Sequence, residues 1–213
     1  MYTVVRLFRD EERHEALVDC APESIASDAG GKPERFRVTL VDCDLLELEV
    51  GVTLSEEAYA RLCDAQDRLA CVQKALTFLD YGDLSRKRLI EKLRRTFPPA
   101  LCEQTADRLE ERGYLNDARL AERYAESYYE IRSYGPMRIR QELYGKGFTR
   151  EVIEQALEPY RELDHREKIA ALLEKKYTRE ALSDPSVRRK ASDWLRRSGY
   201  GWTEISDVLR EDF

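Results

Sequence analysis

The sequence predicts a mainly α-helical protein: three tandem three-helix repeats preceded by a small antiparallel β-rich N-terminal segment. Three observations support this fold class. Alternation of apolar and polar residues with a period of two is confined to roughly the first 50 residues. Apolar residues then recur at spacings of three and four, and one helical pattern occurs three times. Because a single unit of this size buries little apolar surface, we expect the repeats to stack into an elongated, curved solenoid.

Residues 1–54 are predicted to form the β-rich segment. Apolar and polar side chains alternate in Arg35–Asp42 and again in Leu45–Val50, which is typical of half-buried strands. Met1–Phe8 is a third candidate strand. The Asp-Cys-Asp sequence between the first two predicts a turn. Small residues, glycine and proline dominate Ala21–Glu34, which predicts a loop.

Three repeats are assigned to the rest of the chain: residues 55–115, which include a lead-in helix, residues 116–161 and residues 162–213. The lead-in helix is predicted to begin after Ser55, because its hydroxyl is a typical N-cap and two glutamates follow it. Apolar residues then form one narrow stripe over more than 15 residues. This stripe indicates a helix that packs one face against a core.

The middle helix of each repeat carries the repeated pattern. The three copies align on Leu93, Leu143 and Leu195, which are separated by 50 and 52 residues. Each copy has an apolar residue four positions earlier and a basic residue immediately before that one. The second and third copies end in glycine and an aromatic residue, whereas the first ends in Thr-Phe-Pro. The three basic residues at equivalent positions are Arg88, Arg138 and Lys190.

Sharp helix boundaries are predicted around these middle helices. Gly135 suits the position after a helix end, where a left-handed backbone is common. Pro136 and Pro185 suit first helical positions, because the first N–H of a helix has no partner within the helix. Thr149 and Thr203 are predicted N-caps, since a glutamate follows each within two residues.

Charge is distributed unevenly in a chain of net charge −6. Residues 1–60 contain 6 basic and 14 acidic residues, net −8, and the remainder contains 30 and 28, net +2. The three middle helices carry +5, +2 and +4, and the helices that follow them carry −2, −2 and −3. One interpretation is a solvated surface on which acidic and basic helices compensate each other. The other is a basic row that faces an acidic partner or a phosphate backbone.

No motif predicts catalysis, a metal site or a cofactor. His14 and His165 have no nucleophile or metal ligand at a suitable spacing, and we expect both at the surface. The five cysteines include no Cys-x-x-Cys pair, which favours reduced, buried thiols in the cytoplasm. No apolar run reaches the roughly 18 residues of a membrane span, and the first residues do not resemble a signal peptide.

Three passages resemble the RecX family, the regulators of the bacterial recombinase RecA. They are Leu84–Leu93, Gly113–Glu126 and Gly135–Phe148, and the last matches the family's Gly-x-x-Arg-Ile-x-x-Glu-Leu-x-x-Lys-Gly signature. The similarity covers roughly residues 60 to 210, and the β-rich segment resembles the variable extension of many members. Arg88 departs from the pattern, because the first repeat usually has glutamate there.

The resemblance implies a protein without enzymatic activity and without a cofactor. Family members lie in the helical groove of the RecA filament on single-stranded DNA and usually suppress its growth, ATP turnover and co-protease activity. We therefore expect a cytoplasmic monomer that binds RecA and its filament, contacts DNA weakly, and inhibits RecA in recombination, DNA repair and the SOS response. The residues leave two alternatives open: a helical DNA-binding module that acts on DNA without RecA, and a scaffold for an unrelated protein.

The partner-binding residues are predicted to be basic. The row of equivalent bases forms the centre of the predicted surface, and further bases of the middle helices lie beside it. Tyr144 and Trp194 are candidates for stacking on nucleotide bases. The predicted partner-binding residues are Arg86, Arg88, Arg95, Arg138, Arg140, Lys146, Lys190 and Arg197.

Overall fold

The computed structural model describes residues 1–22 and 32–211. The predicted loop Ala21–Glu34 therefore lies largely outside the described residues. Two compact units are formed: residues 1–82 with 90–108, and residues 83–89 with 109–213.

The described part of the chain is mainly helical, with one antiparallel sheet at the N-terminus, which confirms the predicted fold class. The sheet order is β3-β2-β1-β4. The strands are β1 (Tyr2–Asp10), β2 (Glu15–Pro22), β3 (Glu34–Thr39) and β4 (Thr53–Leu54). The helices are α1 (Leu40–Leu45), α2 (Glu56–Asp80), α3 (Arg86–Leu93), α4 (Pro99–Glu111), α5 (Asp117–Glu130), α6 (Pro136–Gly145), α7 (Arg150–Leu157), α8 (Arg166–Lys176), α9 (Arg179–Leu182), α10 (Pro185–Arg197) and α11 (Trp202–Glu211).

The sheet packs its apolar face against helix α2. Val18, Phe36 and Val38 of the strands are buried in one cluster with Leu62 and Ala65 of the helix. The predicted N-cap of α2 is confirmed, because the Ser55 hydroxyl accepts a hydrogen bond from the backbone N–H of Ala58 at 3.1 Å. Strand β2 was not predicted, because five of its eight residues are buried and it shows no regular alternation.

The prediction of a strand at Leu45–Val50 is wrong. Helix α1 occupies the preceding residues, and the turns that follow it contain Glu47 in a left-handed conformation, φ +49°. The cause is a helix cap that alternation does not reveal. Thr39 Oγ1 accepts a hydrogen bond from the Asp42 N–H at 3.0 Å and donates one to the Asp42 carboxylate at 2.7 Å. The predicted turn at Asp42–Asp44 is therefore part of a helix.

The apolar stripe of the middle helices is confirmed. These helices are α3, α6 and α10, and every aligned stripe position has no exposed surface. Because this pattern recurs with the same register in all three, each middle helix turns the same face towards a core. The six buried stripe residues are Leu89, Leu93, Ile139, Leu143, Ala191 and Leu195.

The predicted helix boundaries are confirmed with two exceptions. Gly135 does not have the predicted left-handed backbone: it is the N-cap of α6 with φ −76°, and Ser133 takes the left-handed position after α5, φ +53°. Pro136 and Pro185 begin α6 and α10, and the Thr149 hydroxyl caps α7 by accepting the Val152 N–H at 3.4 Å. Thr203 is not an N-cap, because α11 already begins at Trp202. The Glu204 carboxylate accepts a hydrogen bond from the backbone N–H of Gly201 at the start of that helix. The short helix α9, which was not predicted, precedes α10.

The surface position expected for His165 is wrong, since this side chain is only 3% exposed. Its Nδ1 lies 3.0 Å from the hydroxyl of Tyr129, and its Nε2 lies 3.1 Å from the carbonyl oxygen of Tyr160. Both ring nitrogens therefore have partners, as a buried polar group requires. His165 thus has a structural role in the second unit.

Thiol labelling tests the burial of the cysteines. Cys20, Cys43, Cys71 and Cys102 are buried and Cys63 is half-buried. Burial also raises the pKa of Cys20 to about 11, so little of it is a reactive thiolate at pH 8. With a chromogenic disulfide reagent we expect Cys63 to react first and the other thiols only after denaturation. Rapid reaction of several thiols in the native protein would contradict this burial pattern.

Candidate partner-binding surface

The three equivalent bases of the middle helices all reach solvent to some extent. Arg88 and Lys190 are exposed, and Arg138 is half-buried with 41% of its side chain accessible. Arg138 also lies over the ring of Tyr134, with 5.6 Å from the guanidinium carbon to the ring centroid. The predicted outward orientation agrees with these exposures. Whether the three bases act together on a partner remains a prediction.

Two of the predicted residues form ion pairs with glutamates on the same surface. Arg138 lies 2.7 Å from the carboxylate of Glu142, one turn later in α6. Arg140 lies 3.1 Å from the carboxylate of Glu154 in α7. All four side chains remain at least 30% exposed, so solvent screens both pairs.

Glu154 is shared between two arginines. Partial desolvation acts to raise the pKa of its carboxyl, but the hydrogen bond from Arg161 and the charges of Arg140 and Arg161 outweigh this effect. The pKa of Glu154 therefore lies below its ordinary value. Glu154 is therefore ionised at neutral pH, and the site contains acids as well as bases. These acids were not among the site residues predicted from the sequence, although the spacing of four between Arg138 and Glu142 is a recognised signal for an ion pair.

Arg86, Arg88 and Lys146 meet where the N-terminus of α3 approaches the C-terminus of α6. The Arg88 guanidinium donates to the carbonyl oxygen of Gly145 at 2.6 Å. Arg86 forms an ion pair with Glu110 at 3.4 Å. The ammonium nitrogen of Lys146 lies 4.0 Å from the ring centroid of Tyr124. These three bases therefore have structural partners in addition to any role in binding.

Three predicted residues are exposed and have no ion pair within residues 1–22 and 32–211: Arg95, Lys190 and Arg197. Arg95 belongs to the first unit, and the other seven predicted residues belong to the second. Arg197 lines a cavity together with Met137, the residue that precedes Arg138. The structure thus places Arg197 beside the residue that precedes Arg138.

The middle helices of the second unit are joined end to end by backbone hydrogen bonds. The N–H of Gly135, before α6, donates to the carbonyl of Ser198 at 2.8 Å, and the N–H of Met137 donates to the carbonyl of Gly199 at 3.2 Å. The N-terminus of α6 therefore meets the C-terminus of α10. This contact satisfies helix-end groups that have no partner within their own helix.

A second junction repeats this arrangement between α3 and α6. The Ser85 hydroxyl donates to the carbonyl of Lys146 at 2.7 Å. Ser85 and Gly135 both stand eight residues before the aligned leucine of their helices. Gly147 and Gly199 follow the two acceptor ends, and both have left-handed backbones, φ +91° and +97°. Each junction therefore brings the N-terminal end of one middle helix to the C-terminal end of the next.

Comparison with known proteins identifies the family. A family model described as "RecX, second three-helix domain" matches residues 116–157. A regulatory protein RecX of Pseudomonas fluorescens is 34% identical over 145 residues, which cover 67% of this chain and 92% of that protein. The chain belongs to the RecX family. This membership makes it a non-enzymatic regulatory protein, as the sequence predicts.

Other RecX proteins show the extent of the similarity. A regulatory protein RecX of Clostridioides difficile is 29% identical over 165 residues, covering 77% of this chain and 78% of that protein. The crystal structure of RecX from Lactobacillus salivarius has a TM-score of 0.63 and 26% identity, and covers 69% of this chain. Another RecX crystal structure covers 99% of this chain with a TM-score of 0.77 and 19% identity, which supports the fold. In the described residues, no helix is long and apolar enough to cross a membrane.

Proposed function

We propose that this RecX-family protein binds RecA and the groove of the RecA filament on single-stranded DNA, and that it inhibits recombinase, ATPase and co-protease activity. It would act as a cytoplasmic monomer in recombination, DNA repair and the SOS response. The observation that carries the proposal is family membership, based on 34% identity over 92% of a regulatory protein RecX. The repeated basic positions of the middle helices supply the surface.

Arg138 and Arg140 are the bases of this surface that a test can address most directly. Both project from α6, and their side chains are 41% and 49% exposed. Because their ion pairs with Glu142 and Glu154 are partly solvated, an acidic group of a partner can replace either glutamate at small cost. The two pairs therefore leave the bases available for binding.

A matched pair of double variants tests this surface. Arg138→Gln with Arg140→Gln removes both bases. Glu142→Gln with Glu154→Gln breaks the same two ion pairs, together with that of Arg161 and Glu154, and keeps the bases. We expect the arginine variant to need about fivefold more protein for half-inhibition of RecA ATPase on single-stranded DNA. The glutamate variant should inhibit at least as well as the wild type, because its bases lose their internal competitors.

Circular dichroism of both double variants controls for folding. If both lose inhibition equally, the ion pairs matter for structure and the bases do not bind RecA. If neither variant changes inhibition, this face of α6 is not the RecA-binding surface.

A further inference from the structure

Two adjoining cavities lie on the second unit between α10 and α11. The first has a volume of about 500 Å³, within the range of about 300–1,000 Å³ typical of ligand pockets. The second has a volume of about 450 Å³. Asp193, Arg196 and Trp202 line both cavities, so the two form one groove, named here the α10–α11 groove.

The α10–α11 groove is strongly basic. Four arginines line its first cavity, Arg197 lines the second, and Asp193 is the one acidic residue among the lining residues of both. Arg189 and Arg196 are exposed and form no ion pair within the described part of the chain. The four arginines of the first cavity are Arg188, Arg189, Arg196 and Arg210.

Two of these arginines are held in place by other groups. Arg188 donates from Nε to the carbonyl of Leu182 at 3.2 Å, which orients its guanidinium. Arg210 bonds to Asp207 at 3.1 Å and to Glu211 at 3.5 Å, so its charge is largely compensated. Arg188, Arg189 and Arg196 therefore supply most of the positive potential. Guanidinium groups bind phosphate oxygens well, because their planar array of N–H donors matches the phosphate geometry.

A buried hydroxyl lies beside the same groove. Ser192 is only 7% exposed and lines the first cavity, and its Oγ has no hydrogen-bond partner in the structure. Because this Oγ is itself closed to solvent, it does not contact a molecule in the groove. The groups that a ligand can reach are therefore the arginines and Trp202.

Trp202 gives the groove a flat apolar surface. Trp202 is 63% exposed and lines both cavities, although a large aromatic side chain would normally be buried. An acidic peptide needs charges but no such ring. Single-stranded nucleic acid needs both, because its bases stack on aromatic side chains while its phosphates contact basic ones.

We propose that the α10–α11 groove binds single-stranded nucleic acid, with a base stacked on Trp202 and phosphates held by Arg188, Arg189 and Arg196. The two adjoining cavities then accommodate neighbouring nucleotides of one strand. Of the arginines that line the groove, Arg197 is the one shared with the RecA-binding surface proposed above, and it is not among the residues assigned here to the strand.

Binding of a labelled oligothymidylate by the protein alone, followed by fluorescence anisotropy, tests the groove. We expect Trp202→Ala to weaken binding about tenfold, whereas Trp202→Phe, which keeps a ring for stacking, stays close to the wild type. Arg189→Gln with Arg196→Gln should weaken binding and make the slope of log affinity against log salt shallower by about 1.4. Arg112→Gln with Lys175→Gln is the matched control, because it removes two exposed bases elsewhere on the same unit.

Tryptophan fluorescence provides a second readout. Stacking on Trp202 should quench it, and the quenching should disappear in Trp202→Phe, which retains Trp194. The proposal is overturned if the protein does not bind the oligonucleotide, if the control double variant loses as much affinity as the groove variant, or if Trp202→Ala binds like the wild type. Displacement of the oligonucleotide by polyglutamate at equal charge, without quenching, would instead indicate an acidic peptide site. Because RecA is absent, failure here leaves the ATPase test of the proposed function unaffected.

Discussion

Gly199→Ala is expected to lower the free energy of unfolding by about 3 kcal/mol or more. Two costs combine at this position. The backbone is left-handed, φ +97°, which alone costs an alanine about 1 kcal/mol. In addition, a Cβ would overlap the backbone nitrogen of Arg138 and lie 2.8 Å from the carbonyl oxygen of Gly135. Because these are backbone atoms of a helix junction, they cannot move aside without breaking its hydrogen bonds.

Two further alanine variants separate these costs. Gly113 has a similar backbone, φ +76°, but nothing lies within 4 Å of its Cβ position, so Gly113→Ala should incur only the conformational cost. Gly135 has an ordinary φ of −76°, but its Cβ would lie 2.7 Å from the nitrogen of Tyr200, so Gly135→Ala should incur only the steric cost. Urea unfolding followed by tryptophan fluorescence reports the second unit, which contains both tryptophans. Equal stability of the three variants would show that the junction is not tightly packed.

Arg35→Met is expected to destabilise the first unit by leaving a buried carboxylate without its partner. Asp19 is 4% exposed and accepts two hydrogen bonds from the Arg35 guanidinium, at 2.7 and 3.0 Å. An unpartnered Asp19 carboxylate at this depth costs about 2 kcal/mol. Arg61 is the control: its bond to Glu57 is also 2.7 Å long, but both side chains are more than 60% exposed, so Arg61→Met should change little.

The stabilisation by the pair of Arg35 and Asp19 should depend on pH in a defined direction. The hydrogen bond from Arg35 lowers the pKa of Asp19 below its ordinary value, against the opposing effect of burial. The stabilisation is therefore present above the unfolded pKa, about 3.9, and is lost as the pH falls through the lower folded pKa. In urea unfolding followed by circular dichroism, the difference between wild type and Arg35→Met should be largest near pH 7 and should disappear in acid. A difference independent of pH would show that Arg35 acts through packing.

The repeat architecture could be predicted because its signal is local. An apolar stripe such as Leu89 and Leu93 reflects the helical period, and its burial follows from that period alone. The β-rich segment was harder, because a local hydrogen bond between Thr39 and Asp42 begins a helix where alternation favours a strand. The pattern of apolar residues alone does not show that such a hydrogen bond favours a helix over a strand.

The candidate site could be predicted only in part. The sequence indicates which bases are equivalent, but their partners depend on how distant segments pack. Arg140 pairs with Glu154, 14 residues away, and the Ser85 hydroxyl bonds to the carbonyl of Lys146, 61 residues away. The exposure of Trp202 and the missing partner of Ser192 are likewise properties of the folded chain.

The two outer ends of the series α3, α6 and α10 differ in sequence from the ends that meet at its junctions. At the N-terminal end of α10, Val187 occupies the aligned position that Ser85 and Gly135 occupy before α3 and α6, because α10 begins earlier than they do. Asp184 caps α10 there by accepting a hydrogen bond from the Ser186 N–H at 2.7 Å. At the C-terminal end of α3, Thr96 and Phe97 follow the helix in place of a glycine. Neither outer end carries the residues that form the internal junctions. A duplicate of the second repeat, which has matching residues at both ends, should therefore lengthen the array, whereas a duplicate of the first or third repeat should not.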